Sequence, residues 1–116
     1  MTRIILAALI ILAISNPLSA HMEFTGASAS VGTCGASPSI AGNDNIGTVT
    51  IGTGVVTACT VTFANAYTNT PVCVIVPGST ANITGLTSVS TTAFVAGFSA
   101  SAAGGTFHYI CFGRQS

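Results

Sequence analysis

The sequence predicts an all-β protein, a small antiparallel β-sandwich or barrel of about six strands that is cross-linked by disulfides. Three observations predict this class. From residue 46 onward, short runs rich in Val, Ile, Thr and Phe alternate with turns centred on Gly. After residue 20, no window has the 3.6-residue apolar period of an amphipathic helix. All four cysteines follow a hydrophobic leader, a pattern typical of a disulfide framework.

The first 20 residues have the pattern of a secretory signal peptide. Arg3 supplies a positive charge, an apolar run covers residues 4–14, and Leu18-Ser19-Ala20 ends in a small residue suited to cleavage. The run of about 11 residues is shorter than the ~20 that a membrane-spanning helix needs. We therefore expect a secreted or extracellular protein, in the periplasm or at the cell surface, with no membrane span after cleavage. An uncleaved N-terminal anchor is the alternative.

The remaining chain is expected to hold one domain. Residues 21–33 are rich in Ala, Ser and Gly and predict a flexible leader, which leaves residues 34–116 as a single β domain. Few apolar residues occur over 31–47, which predicts loop. Predicted strands cover 48–51, 55–63, 72–76, 82–90, 92–98 and 106–112. Because residues 72–76 are apolar at every position, we predict a central strand covered on both faces.

The four cysteines are predicted to form two disulfides. A hairpin of residues 55–63 and 71–76, turning around Ala66, would place Cys59 opposite Cys73. This geometry predicts a Cys59–Cys73 bridge and leaves Cys34 to pair with Cys111, although four cysteines allow three pairings. Zinc binding is the other use of four cysteines. No pair here has the spacing of two to four residues that is typical of a structural zinc site.

Charge is scarce in the mature part of the chain. Its fixed charges are Glu23, Asp44 and Arg114, with His21 and His108 beside them. A nucleic-acid-binding protein must neutralise phosphates with several Lys or Arg, so we expect no nucleic-acid partner. An anionic membrane surface is excluded as an electrostatic partner for the same reason. Weak repulsion between copies favours a homo-oligomer or a filament.

The residues that could carry catalysis are few. His108 lies between Phe107 and Tyr109 in a predicted strand, with its side chain on the face opposite theirs. The acids that could orient it are Glu23 and Asp44, and neither accompanies a nucleophile motif. We expect no enzyme, no catalytic residue, no metal site and no cofactor.

Two loops carry polar residues of interest. Asn43-Asp44-Asn45 looks like part of a calcium-binding loop but lacks the distal Glu, so a turn stabilised by its own side chains is predicted. Tyr67 and Asn69 offer an aromatic ring and an amide in the predicted loop 64–70. We predict these two as binding residues.

Several segments resemble a known module. They are Cys34-Gly35-Ala36-Ser37-Pro38, Ile46-Gly47-Thr48-Val49-Thr50-Ile51-Gly52-Thr53-Gly54, Ala58-Cys59-Thr60-Val61-Thr62-Phe63, Pro71-Val72-Cys73 and Tyr109-Ile110-Cys111-Phe112-Gly113. Together they are similar to a small cysteine-containing β module found at the C-terminal ends of phage tail-fibre-like proteins and in uncharacterised bacterial secreted proteins. The resemblance implies a compact β tip with a binding role, often in a trimeric fibre. The predicted signal peptide and the lack of a shaft before Cys34 favour a free-standing secreted domain instead.

These observations predict a secreted, disulfide-stabilised β domain that acts as a surface binding or structural module. The expected partner is a cell-surface glycan or protein. The alternative is a subunit of an extracellular filament, coat or fibre. A small secreted hydrolase is a third class, which the scarcity of acids and bases disfavours.

Overall fold

The computed structural model describes residues 26–79 and 82–113 of the 116-residue chain. The predicted signal peptide, Glu23 and Arg114 lie outside the described residues. The strands are β1 (Ser30–Gly32), β2 (Ser39–Gly42), β3 (Ile46–Thr50), β4 (Ala58–Thr62), β5 (Val72–Pro77), β6 (Ile83–Val89), β7 (Ala93–Phe98) and β8 (Thr106–Phe112). In the described part of the chain, no helix has the length and hydrophobicity needed to cross a membrane.

The strands form two four-stranded antiparallel sheets that pack against each other. The first sheet has the order β1-β4-β7-β6 and the second sheet has the order β2-β3-β8-β5. The prediction of an all-β, disulfide-cross-linked sandwich is therefore confirmed. Consecutive strands repeatedly change sheets, as in β3 to β4 and β4 to β5, so most of the pairing joins residues that are distant in sequence.

The six predicted strands are present with shifted ends, and two further strands were missed. The stretch 31–47, predicted as loop, contains β2 and the end of β1, and β1 begins within the predicted leader. These two strands are short and carry Ser, Ala and Gly, so they have no apolar pattern of their own. They form because β4 and β3 supply hydrogen-bonding partners along their whole length. Conversely, the predicted strand 55–63 was too long, since Val55 is 88% exposed and precedes β4.

The predicted disulfide pairing is wrong. The bridges join Cys34 to Cys59 and Cys73 to Cys111. The error follows from the predicted hairpin, because Cys59 lies in β4 of the first sheet whereas Cys73 lies in β5 of the second. Cys34 follows β1, which pairs with β4, and so it lies beside Cys59. In the chain-entropy approximation, the two bridges stabilise the fold by about 3.5 and about 4 kcal/mol, and such bridges are typical of proteins that fold in an oxidising compartment.

Aromatic contacts between β7 and β8 join the two sheets. The ring centroids of Phe94 and Tyr109 are 5.2 Å apart, and those of Phe98 and Phe107 are 6.0 Å apart. Each such pair contributes about 0.5–1.5 kcal/mol beyond the burial of its apolar area. Further apolar side chains fill the space around them. The core also includes Cys34, Val49, Ile51, Val56, Cys59, Val61, Phe63, Ala96 and Cys111.

The strand β5 is an edge strand, which corrects the prediction that residues 72–76 form a central strand covered on both faces. Among the described strands, only β8 pairs with it. Val72, Val74 and Val76 are each about half exposed on its outer face. Pro77 ends the strand and has no N–H to donate, a residue that sheets accommodate at an edge. The continuous apolar run thus marks an exposed edge of the sandwich.

Candidate functional site

The outer face of the second sheet is an exposed apolar surface built by the register of three strands. Ile46, Ile110 and Val74 lie opposite one another across β3, β8 and β5. Val72 and Phe112 form a neighbouring cross-strand pair, about 52% and 47% exposed. Side chains of alternate residues point to the same face of a strand, so these residues share one surface. We call this surface the apolar face.

A shallow groove of about 420 Å³ lies on the apolar face. Its lining includes Ala41, Ile46, Thr48, Val74, Val76 and Ile110. Five of the ten lining residues are aliphatic and the others are Thr48, His108, Tyr109 and two glycines, so the groove offers a partner apolar contact beside one hydroxyl–imidazole pair. An exposed patch of this kind is typical of a surface that meets another macromolecule. The sequence signal is the apolar run of residues 72–76, which predicts a strand covered on both faces and not an exposed one.

His108 lies in the groove, which confirms the prediction that its side chain is on the face opposite those of Phe107 and Tyr109. It is exposed, whereas its neighbours Phe107 and Tyr109 are fully buried. Its Nδ1 lies 2.8 Å from Oγ1 of Thr48, the residue opposite it on β3. A hydroxyl–imidazole pair needs a third group to orient the ring before it resembles a catalytic triad. The carboxylate available among the described residues, Asp44, is engaged elsewhere.

The β2–β3 turn is a turn of the predicted type. Oδ1 of Asn43 accepts hydrogen bonds from the backbone N–H groups of Asn45 and Ile46, at 2.8 and 3.1 Å. This is the Asx-turn geometry that replaces missing backbone partners at a tight chain reversal. The Asn45 side chain donates to the backbone carbonyl of Cys111 at 3.2 Å, which fixes the turn to β8.

Asp44 connects this turn to the loop between β4 and β5. Its two carboxylate oxygens accept hydrogen bonds from the backbone N–H groups of Ala64 and Asn65, at 2.7 and 2.9 Å. It is the one fixed charge among residues 26–79 and 82–113. Charge-assisted hydrogen bonds of this kind are stronger than neutral ones. The carboxylate therefore acts in the structure as a connector between the two loops.

The predicted binding residue Tyr67 lies in the same network. Its hydroxyl donates to the backbone carbonyl of Asp44 at 2.7 Å and accepts from the side-chain amide of Asn45 at 3.2 Å. Its ring packs edge-on against Phe63, with the centroids 4.9 Å apart. Asn69 lies two residues further along the loop and is half-buried. The structure thus places Tyr67 in internal contacts, and the predicted binding role of the pair stays a prediction.

The two tyrosine hydroxyls near Asp44 have altered acidity. Burial raises the pKa of Tyr109 from the ordinary value of 10 to about 12, and the charges of Asp44 and Tyr67 add to the effect. Burial, and then the Asp44 carboxylate, raises the pKa of Tyr67 as well. Tyr109 donates its proton to the backbone carbonyl of Asn43 at 2.5 Å. Both hydroxyls therefore act as protonated hydrogen-bond donors at neutral pH.

Metal-ligating side chains do not cluster in the described part of the chain. Among residues 26–79 and 82–113, no group of three or more His, Cys, Asp or Glu side chains lies close enough to hold a metal ion. All four cysteine sulfurs are in disulfides.

The fold and the site together define the class of this protein as a small two-sheet β-sandwich with two disulfides and an exposed apolar face. Comparison of the chain with protein-family models, with curated proteins and with solved structures finds no match.

Proposed function

We propose that this chain is a secreted binding or structural module that carries out no catalysis and contacts a protein partner through the apolar face. The observation that carries the proposal is the exposure of Val72, Val74, Val76 and Phe112, each close to half, on one face of a disulfide-linked sheet. Removing an apolar side chain from water contributes roughly 25 cal/mol per Å² of area buried. The free energy therefore falls when a complementary surface covers a rigid face of such residues.

The same face favours a protein partner over a glycan. Sugar recognition depends on polar groups and on aromatic rings, whereas most side chains of the apolar face are aliphatic, with Phe112, Thr48 and His108 as the exceptions. The predicted binding residue that carries an aromatic ring, Tyr67, has its hydroxyl and ring in internal contacts. A protein surface with its own apolar residues is the better match.

A second candidate function is a subunit of an extracellular filament, coat or fibre. Two observations favour it: the edge of β5 with which no described strand pairs, and the near absence of charge on the described surface. The resemblance of the cysteine-containing segments to tail-fibre modules fits this candidate as well. Strand addition at a sheet edge is a common way for such subunits to join.

The experiment is a cell-binding assay with the exported, oxidised protein. The labelled protein is applied to cells of the producing organism and to cells of other organisms that live beside it. It is compared with an Ile46→Thr/Val76→Thr variant of the apolar face. The matched control is Val55→Thr, because Val55 is 88% exposed and lies outside the second sheet. Thermal unfolding of all three proteins shows whether the substitutions leave the fold intact.

The outcomes separate the candidates. Binding that is lost in the apolar-face variant, retained in the control and removed by protease treatment of the cells supports a protein partner. Binding that survives protease but is removed by periodate oxidation of the cells indicates a glycan and overturns the choice of partner. Binding that the apolar-face variant retains in full overturns the assignment of the site. A search for hydrolysis products in the same samples tests the absence of catalysis.

A further inference from the structure

The outer edge of β5 is a feature that the proposed role of the apolar face does not explain. β5 pairs with β8 on one side and with no described strand on the other. Its six residues, Val-Cys-Val-Ile-Val-Pro, are uncharged and mostly β-branched. An uncharged, β-branched edge strand is a template for pairing with another chain.

The hydrogen bonds of β8 show which backbone groups of β5 point outward. The N–H of Cys111 donates to the carbonyl of Asn45, at 2.7 Å, on the side away from β5. Cys111 and Cys73 are therefore a non-hydrogen-bonded pair, which agrees with their Cα separation of 4.0 Å. Consequently the N–H and C=O of Cys73 point to the free edge. The same alternation applies to Ile75, and to Pro77, which has only a C=O.

We propose that a second copy of this chain adds to this edge, with the two β5 strands antiparallel about a two-fold axis at Val74. In this register Cys73 lies opposite Ile75 of the second copy, and Ile75 lies opposite Cys73 of the second copy. Each of these pairs exchanges two N–H···O=C bonds, so all outward groups of Cys73 and Ile75 find partners. The second sheet of one copy and the second sheet of the other then form one continuous sheet.

The side chains favour the same register. With Val74 opposite Val74, each Val72 lies opposite a Val76, so all three exposed valines of each copy meet a valine. Such cross-strand pairs contribute about 0.2–1 kcal/mol each. A shift by two residues about the Ile75 position would leave the C=O of Cys73 opposite Pro77, which has no N–H to donate. The register centred on Val74 thus satisfies the outward backbone groups of Cys73 and Ile75 and also places the exposed valines in contact.

The low charge of the chain favours a second copy as the occupant, and the form of the other edge strands favours the edge of β5 as the place where it binds. Formal net charge is zero, and the fixed charge in the described residues belongs to Asp44, which is bound to the β4–β5 loop. Two copies therefore meet without electrostatic repulsion. The edge strands β1 and β2 have three and four residues, and β6 is interrupted by bulges, features that hinder edge pairing. Because a two-fold interface closes on itself, the product is a dimer and not an open chain.

This inference rests on the proposed function, because the pairing extends the apolar face into one surface shared by two copies. The test is the mass of the exported, oxidised protein by multi-angle light scattering over a range of concentrations. Three proteins are compared: the natural sequence, Val74→Lys and the matched control Val55→Lys. Val74→Lys places two ammonium groups side by side at the two-fold axis, while both substituted side chains point into solvent.

We expect a mass of twice the monomer for the natural sequence and for Val55→Lys. For Val74→Lys we expect a monomer, or a dissociation constant raised by at least about tenfold. Slow amide exchange at Cys73 and Ile75 that becomes faster on dilution would add residue-level support. A monomeric natural protein, a trimer, an open-ended assembly, or a Val74→Lys dimer of unchanged affinity would overturn the inference.

Failure here and failure of the proposed function give different results. A monomer that still binds cells through Ile46 and Val76 removes the dimer and leaves the binding module in place. A dimer whose cell binding ignores these residues retains the pairing and removes the partner site.

Discussion

Tyr109 lies directly opposite Gly47 in the β3–β8 register, and its ring covers the glycine so closely that no side chain fits between them. A Cβ atom at position 47 would lie 2.5 Å from the hydroxyl oxygen and 2.7 Å from two ring carbons. From this position the hydroxyl reaches the backbone carbonyl of Asn43 across the β2–β3 turn. The glycine thus determines where the tyrosine lies, and the tyrosine holds the turn.

Gly47→Ala is expected to lower the free energy of unfolding by about 1–3 kcal/mol, because the ring must move and its hydrogen bond lengthens. Gly32→Ala is the matched control: Gly32 also lies in a strand, and a Cβ atom there meets nothing within 4 Å. The control should change stability by less than about 0.5 kcal/mol. Urea unfolding of the oxidised proteins measures both. Equal losses in the two variants would contradict the close packing of Tyr109 on Gly47.

Alkaline pH is expected to destabilise the fold through Tyr109. Its pKa is raised in the folded state to about 12, from an ordinary 10, so its contribution is complete below pH 10 and is lost as the pH rises towards 12. The loss is of the order of 2–3 kcal/mol, since each pKa unit corresponds to about 1.4 kcal/mol. Tyrosinate absorbance and unfolding free energy measured together between pH 9 and 12 check this expectation, with pH values chosen around the two pKa values.

Tyr109→Phe provides the control for this titration. The variant should begin less stable at neutral pH by about 1–2 kcal/mol, because the hydrogen bond to the Asn43 carbonyl is gone. It should then lose much less stability above pH 10 than the natural protein. Tyr67→Phe, which leaves Tyr109 in place, should retain most of the alkaline loss. An identical pH profile for Tyr109→Phe and the natural protein would show that another group is responsible.

Asp44→Asn is expected to destabilise the contact between the β2–β3 turn and the β4–β5 loop. The Ala64 and Asn65 N–H groups bind different oxygens of the carboxylate, and in Asn one of these two positions is an NH₂ group that donates and cannot accept, while the charge is also lost. The expected loss is about 1–3 kcal/mol by chemical unfolding, and amide exchange at residues 64 and 65 should become faster. Unchanged exchange at these two amides, with the fold intact, would contradict this role for the carboxylate.

The sequence was sufficient to predict the class of fold and most strand positions, because alternating Thr and Val residues between Gly turns have few other uses. It was insufficient for the pairing of strands. Whether residues 55–63 and 71–76 form a hairpin or cross between sheets depends on contacts of β4 with β1 and β7, which are distant in sequence. The short strand β1 also gave no signal, since its partner provides the reason for it to form.

The candidate site was harder to predict for a related reason. A continuous apolar run predicts a covered strand, so the sequence predicts that Val72, Val74 and Val76 are buried, whereas their exposure follows from the order of the strands in the sheet. An aromatic residue in a loop is often exposed, and for this reason the sequence predicts Tyr67 as a binding residue. Its contacts with Asp44 and Phe63 depend on how the β4–β5 loop folds over the β2–β3 turn. Local pattern determines the periodicity of a strand, whereas exposure depends on the assembled sheets.

The two disulfides are expected to differ in their reactivity towards reductant, because they differ in burial. Cys34, Cys59 and Cys111 are fully buried, whereas Cys73 is partly exposed on β5. A thiolate must reach a sulfur atom to break the bridge, so mild reductant without denaturant should open Cys73–Cys111 first. Alkylation of the freed thiols followed by peptic digestion and mass spectrometry measures the order, and the unreduced digest shows the pairing. Earlier labelling of Cys34 and Cys59 would contradict the expected effect of burial. A peptide that joins Cys59 to Cys73 would contradict the arrangement of the sheets, since β4 and β5 would then have to be neighbours.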